Sequence, residues 1–203
     1  MNPSDSEFIL LASASPRRKE MLQQLGLSFR CIAPSVSEEP LPREAPEAYV
    51  RRIADDKARA VLNSLHDDPA DHLLIAADTT VTLEGAILGK PTSAADAATM
   101  LLQLSGKTHQ VITGVCLLLR RNERLEAERL FSVSTDVIFK TLTPSEVDAY
   151  VRTGDPMDKA GAYGIQSGAA HLIREIHGSY TNVVGLPMTE LVEGMQALQS
   201  IFG

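Results

Sequence analysis

The sequence predicts an α/β fold in which helices flank a mixed β-sheet, and three observations support this prediction. Short apolar runs with strand character alternate along the chain with longer segments of helical periodicity. Turn signals at Glu84–Gly85 and at residues 120–127 join some strands directly, which indicates antiparallel pairs beside parallel ones. With 203 residues, 44% of them hydrophobic, the chain is long enough to bury a core of its own.

The elements of the first half are predicted from apolar periodicity and from residues that mark their ends. Ser15 suits a helix N-cap, Pro16 suits the first helical position, and Gly26 suits a helix end. In chain order we expect a strand over 8–14, a helix from Pro16 to Leu25, a strand over 28–33, a loop over 34–46, a helix over 47–65, a strand over 72–77, and a hairpin of 79–83 and 86–88.

The second half is predicted in the same way. Ser93 with Asp96 and Thr143 with Glu146 have the spacing of helix starts with a capping box. We expect a helix from Ser93 to before Gly106, strands over 109–119 and 128–140, a helix from Thr143 to about Gly154, a glycine-rich segment over 160–168, a strand over 170–177, and a helix over 188–202.

The composition excludes several classes of protein. Nineteen Lys and Arg against 26 Asp and Glu give a net charge of −7, which argues against polynucleotide binding but not against a small phosphorylated ligand. Cys31 and Cys116 have apolar neighbours and are expected to be buried free thiols, and no Cys or His spacing indicates a metal site. The N-terminal residues lack a signal-peptide pattern and no stretch suits a membrane span, so the expected location is the cytoplasm.

The segment Leu11–Arg18 has the features of an anion site. A buried strand leads through Ser13 and Ser15 into a helix whose first turn carries Arg17 and Arg18. The N-terminal N–H groups of a helix are unpaired and partly positive, so two arginines there are expected to have a negative partner such as a phosphate. A solvated basic helix start is the alternative.

Two further charged residues lie in apolar surroundings. Asp78 follows five apolar residues, at the expected C-terminal end of a strand, where it could hold a metal, take a proton from water, or only cap the strand. Lys57 falls within the apolar stripe of the helix over 47–65, where its ammonium must either reach solvent or meet an anion.

Weaker signals come from Lys90, at the end of the predicted hairpin, and from the glycine-rich segment before Gln166. Glycines allow a ligand close to the backbone, and the Gln166 amide could pair with the edge of a base, although an ordinary loop is equally consistent. The sequence has no Walker A motif, no dinucleotide-binding glycine motif, no zinc-protease motif and no nucleophile elbow.

Together these segments resemble the Maf family of nucleotide pyrophosphatases. The motifs occur in family order between residues 10 and 190, and their combination is highly specific although each alone is weak. They are Leu11–Arg18, Ala77–Thr79, Gly89–Pro91, Leu104–His109, Thr113–Val115, Asp158–Gln166 and Val184–Pro187. One departure is Ser167, where relatives usually have glycine.

The resemblance implies one domain over residues 1–203, with two lobes around a cleft and the mixed sheet of the inosine-triphosphate pyrophosphatases. It implies hydrolysis of dTTP and UTP to the monophosphate and pyrophosphate with Mg²⁺ or Mn²⁺, and a homodimer. Arg17, Thr79 and Gln166 match the dTTP/UTP branch, whereas the branch that acts on 7-methyl-GTP differs there.

The same resemblance assigns roles to single residues. Asp78 would be the proton acceptor for water, and Glu38, or its neighbour Glu39, would help Asp78 to hold the metal. Phosphate contacts are expected from Ser13, Arg18, Lys57, Lys90 and Lys159. Two alternatives stay open: a broad house-cleaning pyrophosphatase that acts on modified nucleotides, and a regulator of septum formation that acts by binding.

Overall fold

We describe residues 8–200 of a computed structural model of the chain, without the side chains of residues 199 and 200. The helices are α1 (Pro16–Gln24), α2 (Pro46–Asn63), α3 (Ala94–Leu104), α4 (Pro144–Val151), α5 (Tyr180–Val184) and α6 (Met188–Ser200). The strands are β1 (Ile9–Ala12), β2 (Arg30–Cys31), β3 (His72–Leu83), β4 (Ala86–Leu88), β5 (Thr108–Arg121), β6 (Arg124–Phe139) and β7 (Ile173–His177). In this part of the chain no helix is both long and apolar enough to span a membrane.

The seven strands of the described residues form one sheet in the order β2-β1-β3-β5-β6-β7, with β4 paired to β3. β1 pairs with β2 and β3 in parallel, whereas β3 with β4 and β6 with β7 are antiparallel. The sheet is therefore mixed and has helices around it, as the sequence predicts. The chain divides into two compact units.

Unit 1 contains the described residues up to Asp78, then Thr113–Ser132, and those from Gly185 onward. Its core packs the apolar face of α2 against β1, β3 and β5, and it includes Leu10, Ala54, Val61, Leu74 and Leu118. At Gly114 a Cβ atom would lie 2.3 Å from the carbonyl oxygen of Val50. The backbone of α2 therefore packs directly against the backbone of β5 at this point.

Unit 2 contains Thr79–Ile112 and Val133–Val184. Its core joins α3 and α4 to the strands of this unit and to the segment after α4, and it includes Leu101, Phe139, Tyr150, Tyr163 and Leu172. The Thr143 hydroxyl accepts from the Glu146 N–H and the Glu146 carboxylate accepts from the Thr143 N–H, which is the predicted capping box. Ser93 caps α3 through the N–H of Asp96, also as predicted.

Several element boundaries differ from the prediction. Residues 72–83 form one strand and not two, because β-branched Thr79, Thr80, Val81 and Thr82 extend the strand and pair with β4. The turn between β5 and β6 has only Asn122 and Glu123, both with positive φ, so polar residues of the expected loop belong to the strands.

Other differences concern short segments. β7 begins at Ile173, because residues 170–172 form a turn of 3₁₀ helix. The five-residue helix α5 is too short to give a periodic signal. Residues 201–202 of the predicted last helix, and most of the N-terminal segment, lie outside the described residues.

Candidate active site

The turn between β1 and α1 brings a buried hydroxyl and a buried guanidinium together in unit 1. The Ser13 hydroxyl accepts from the Ser15 N–H at 3.1 Å and from Arg18 Nη1 at 3.4 Å. Arg18 Nε donates to the carbonyl oxygen of Gly185 at 2.8 Å. Ser15 is the N-cap residue, as predicted, but its own side chain makes no capping bond.

Arg18 is only 9% exposed, so a solvated basic helix start does not describe it. Burial has the largest effect on the pKa of Arg18 and lowers it. The charge of Asp78 acts to raise this pKa, that of Arg17 to lower it, and that of Glu38 to raise it. Arg17 is half-buried, and the first turn of α1 contains no acidic residue. A buried cation beside the N-terminus of a helix is a favourable environment for an anion.

Asp78 lies in the middle of β3, so the prediction that it ends a strand is wrong. Strand pairing continues through Val81–Leu83, and a capping role for Asp78 is therefore removed. Its carboxylate is buried, and Oδ1 accepts from Lys57 Nζ at 2.7 Å. A buried carboxylate with this contact suits proton transfer or cation binding better than the termination of a strand.

Lys57 meets anions and does not extend to solvent, which decides between the two interpretations of its position. The residue is 7% exposed and lies among the buried residues of α2. Its ammonium is 2.7 Å from Asp78 Oδ1 and 2.6 Å from Glu38 Oε1. A buried ammonium requires such partners, since an unpaired charge in the interior is strongly unfavourable.

The structure distinguishes Glu38 from Glu39. The Glu38 carboxylate, 44% exposed, reaches Lys57, whereas Glu39 takes part in the loop through its backbone. The Glu39 N–H lies 3.5 Å from Ser37 Oγ, and its carbonyl accepts from Arg52. Glu38 is therefore the acid that shares an ammonium with Asp78.

These two carboxylates fit a divalent cation that arrives with a phosphorylated ligand. Among residues 8–198, no three His, Cys, Asp or Glu side chains form a cluster able to hold a metal ion. Mg²⁺ is commonly held by one or two carboxylates together with substrate phosphates and water. Glu38 and Asp78 supply that number of carboxylates, so substrate and water would complete the coordination.

The other predicted site residues belong to unit 2. Thr79 is half-buried in β3, and Lys90 is exposed beyond β4. The carbonyl oxygen of Gly89, beside Lys90, accepts from the Gly161 N–H at 3.0 Å. This bond joins the end of the hairpin to the glycine-rich segment. It therefore brings the motifs Gly89–Pro91 and Asp158–Gln166 into contact.

Lys159 is held by its own loop. Its ammonium donates to the Asp155 carbonyl at 2.7 Å, to Asp155 Oδ1 at 3.0 Å and to Asp158 Oδ1 at 2.7 Å. A Cβ atom on Gly164 would lie 2.7 Å from Lys159 Cε, so the lysine stem passes directly over this glycine. Gly164 therefore permits the close passage of the Lys159 side chain.

Asp155 is a central residue of this loop that the sequence reasoning missed. Its Oδ2 accepts from Tyr150 and from Ser167, both at 2.5 Å. Burial raises the pKa of Asp155, but hydrogen bonds from Ser167, Tyr150 and Lys159 outweigh it and leave the pKa lowered. The feature of the sequence that could have indicated this role is an acid four residues before Lys159.

Ser167 also closes the turn that carries the exposed Gln166. Its N–H donates to the Gly164 carbonyl at 3.2 Å.

The histidines and cysteines show no catalytic arrangement in the described residues. His109 packs edge-on against Phe139 and Tyr163, and its Nε2 is 2.8 Å from the Tyr163 hydroxyl. Burial lowers the pKa of His109 to about 4, so its ring is neutral near pH 7. Both cysteines are free, and Cys116 is buried as expected, but Cys31 is exposed because it lies on β2, a short strand at the edge of the sheet.

Comparisons with known proteins all indicate one family. The family model "Maf-like protein" matches residues 8–198. A dTTP/UTP pyrophosphatase of Geobacter sp. (strain M21) is 46% identical over 193 residues, covering 95% of this chain and 96% of that protein. The dTTP/UTP pyrophosphatase of Geobacter sulfurreducens is 47% identical over 193 residues, covering 95% and 97%.

A solved structure supports the fold. The Ham1 protein of Staphylococcus aureus aligns with a TM-score of 0.51 at 10% identity, covering 95% of this chain and 100% of that chain. It confirms the expected likeness of fold and, at this identity, nothing more. The match of the family model and the identity to the two relatives along nearly their whole length show that the chain belongs to the Maf-like protein family.

Proposed function

We propose that the chain hydrolyses nucleoside triphosphates to the monophosphate and pyrophosphate, with dTTP and UTP as its substrates. Relatives named dTTP/UTP pyrophosphatase match it along nearly its full length and support the substrate class. The observation that carries the proposal is the cluster of Asp78, Lys57 and Glu38 beside the buried Arg18. A water-activating acid among buried cations suits hydrolysis of an anionic substrate and would be unnecessary in a protein that only binds.

The cations of unit 1 would oppose the charge of the triphosphate. Attack on the α-phosphorus requires that the charge of the phosphate oxygens is screened, since an anionic centre repels a nucleophile. Arg18 and Lys57 are buried, so little solvent weakens their field, and the Ser13 hydroxyl, which accepts from Arg18, can donate to a phosphate oxygen. We assign these three residues to phosphate binding, and Lys90 and Lys159 to the same task in unit 2.

Asp78 is the proposed base. A water molecule adds to the α-phosphorus, the bond from that phosphorus to the bridging oxygen of the β-phosphate breaks, and pyrophosphate leaves. Asp78 accepts the proton of the water, and Lys57, bonded to Oδ1, keeps the carboxylate in place. A divalent cation held by Glu38 and Asp78 would neutralise phosphate charge and polarise the P–O bond.

Recognition of the base is assigned to unit 2. The Gln166 amide offers a donor and an acceptor, and the Thr79 hydroxyl can do either, so both can pair with the carbonyl and N–H groups of a pyrimidine. With Arg17, these residues match the dTTP/UTP branch of the family. The exposed position of Gln166 on its turn is compatible with contact to a ligand.

We also propose a homodimer that acts in the cytoplasm.

The test is product analysis with purified protein, Mg²⁺ or Mn²⁺, and a panel of dTTP, UTP, modified pyrimidine nucleotides and purine nucleotides. We expect pyrophosphate and the monophosphate from dTTP and UTP, with much slower turnover of purines. Release of single phosphate would contradict attack at the α-phosphorus. Faster turnover of modified pyrimidines would shift the substrate to that class, and light scattering would test the dimer.

A further inference from the structure

Helix α2 holds the loop before it by two side chains in addition to Lys57. The Tyr49 hydroxyl donates to the Glu38 carbonyl oxygen at 2.8 Å, and Tyr49 is only 8% exposed. Arg52 Nη2 donates to the carbonyl oxygen of Glu39 at 3.1 Å. The Arg52 guanidinium lies 5.8 Å from the centroid of the Tyr49 ring, so the two side chains form one contact surface. The carbonyl groups of two consecutive peptide units, Glu38–Glu39 and Glu39–Pro40, are thereby fixed to α2.

The far end of the loop is bound by the same arginine. Arg52 Nε is 2.6 Å from Glu44 Oε1, and Nη2 is 2.7 Å from Oε2, which is the bidentate geometry of a strong ion pair. Glu44 Oε2 also accepts from the Leu41 N–H at 2.9 Å, and the Glu44 side chain is only 8% exposed. The hydrogen bond from Arg52 lowers the pKa of Glu44 and so favours the charged form of this carboxylate. The loop is closed on itself and tied to α2.

These contacts matter because Glu38 lies in an irregular loop. The segment between β2 and α2 contains no helix or strand, and the Glu38 side chain is 44% exposed. A glutamate in such a loop would sample many rotamers and backbone positions. Its contact with Lys57 at 2.6 Å therefore depends on a backbone that is already in place.

We infer that Tyr49 and Arg52 are positioning residues, which hold the Glu38 carboxylate beside Lys57 and Asp78. The inference rests on the proposed function, in which Glu38 helps to bind a divalent cation together with the triphosphate. Neither side chain needs to touch the substrate. Their loss would weaken cation binding, while the chemical step would proceed normally once the cation is bound.

The experiment compares Tyr49→Phe, Arg52→Lys and Arg52→Ala with two matched controls. Arg59→Ala removes another arginine of α2, whose ion pairs with Asp55 and Glu128 lie outside this loop. Tyr180→Phe removes the hydroxyl of a tyrosine that is 47% exposed. Free Mn²⁺ is measured by electron paramagnetic resonance in the presence of α,β-imido-dTTP, which is not hydrolysed. Turnover of dTTP is then measured as a function of Mn²⁺, together with the melting temperature.

We expect Tyr49→Phe to weaken Mn²⁺ binding about fivefold, the effect of one lost hydrogen bond, with kcat at saturating Mn²⁺ within about twofold of the wild type. Arg52→Lys keeps the charge beside Glu44 but cannot donate to Glu44 and Glu39 in the same way, so its effect should be smaller than that of Arg52→Ala. Both controls should bind Mn²⁺ like the wild type. A role in stability alone would lower the melting temperature and leave Mn²⁺ binding unchanged, and this result would overturn the inference.

Glu38→Gln serves as the reference variant. If it weakens Mn²⁺ binding and the Tyr49 and Arg52 variants do not, the positioning inference is wrong and the proposed function stands. If Glu38→Gln binds Mn²⁺ as the wild type does, the metal role of Glu38 fails, and the inference fails with it. If all these variants weaken binding and the controls do not, the inference is supported. Tyr49→Phe and Arg52→Lys keep the test decisive if Arg52→Ala fails to fold.

Discussion

Replacing Asp78 by asparagine tests the centre of the proposed mechanism. The side chain keeps its size, but it can no longer take a proton, and Lys57 loses one of the two carboxylates at its ammonium. Loss of a general base typically lowers kcat by about 10² to 10⁴-fold. Nucleotide binding should survive, because the change removes a negative charge and leaves Arg18 and Lys57 in place.

The same substitution should lower stability by an amount that follows from burial. Removal of one partner from a buried ion pair costs about 3–5 kcal/mol, and an exposed pair contributes about 0.2–1 kcal/mol. Lys57 is 7% exposed but retains Glu38, whose side chain is 44% exposed, so an intermediate loss of about 2 kcal/mol is expected. For a chain of this size that corresponds to a fall in melting temperature of about 4–8 °C.

The assay combines steady-state turnover of dTTP, binding of α,β-imido-dTTP by calorimetry, and thermal unfolding. Asp55→Asn is the control, since it removes the same charge from an ion pair with Arg59 in which the Asp55 side chain is 26% exposed. Activity of this control should be that of the wild type, and its melting temperature should change little. If purified Asp78→Asn keeps more than about a tenth of the wild-type kcat, Asp78 is not the base, since the loss would be below the usual range.

Three further predictions concern specificity, pH and packing. Gln166→Glu should lower turnover of dTTP and UTP more than that of other nucleotides, and an unchanged substrate profile would exclude Gln166 from base recognition. Burial holds the pKa of His109 near 4, below its ordinary value of 6.5, so the unfolded chain binds a proton that the folded chain does not. Stability is therefore full above pH 6.5 and should fall by about 3 kcal/mol towards pH 4. Urea unfolding at several pH values should show this slope, and His109→Phe should flatten it. Gly114→Ala should destabilise the fold by about 3 kcal/mol, because its Cβ would lie 2.3 Å from the Val50 carbonyl oxygen. Gly89→Ala, where the added Cβ meets nothing within 4 Å, is the control in the same urea titration.

Local features of the fold were predictable because they depend on residues close in sequence. The caps at Ser93 and Thr143 involve partners three residues away, and Gly26 follows α1 with positive φ as expected. Strand lengths were less predictable, since the end of a strand depends on its neighbour in the sheet. β3 continues past Asp78 because β4 pairs with it, and no pattern within residues 72–78 could indicate that.

The candidate site shows the same division. The position of Lys57 on the apolar face of α2 already required either solvent or an anion for its ammonium, and the motif residues indicated phosphate chemistry. The folded chain shows that its partners are Asp78 on β3 and Glu38 in the preceding loop, whereas Glu39 is bonded through its carbonyl to Arg52. It also revealed Tyr49 and Arg52 as the supports of that loop. The order and type of the residues were enough to predict the family, the types of element and the chemical groups available. The packing of α2 against the sheet and the loop decided which charges meet, because those distances depend on residues far apart along the chain.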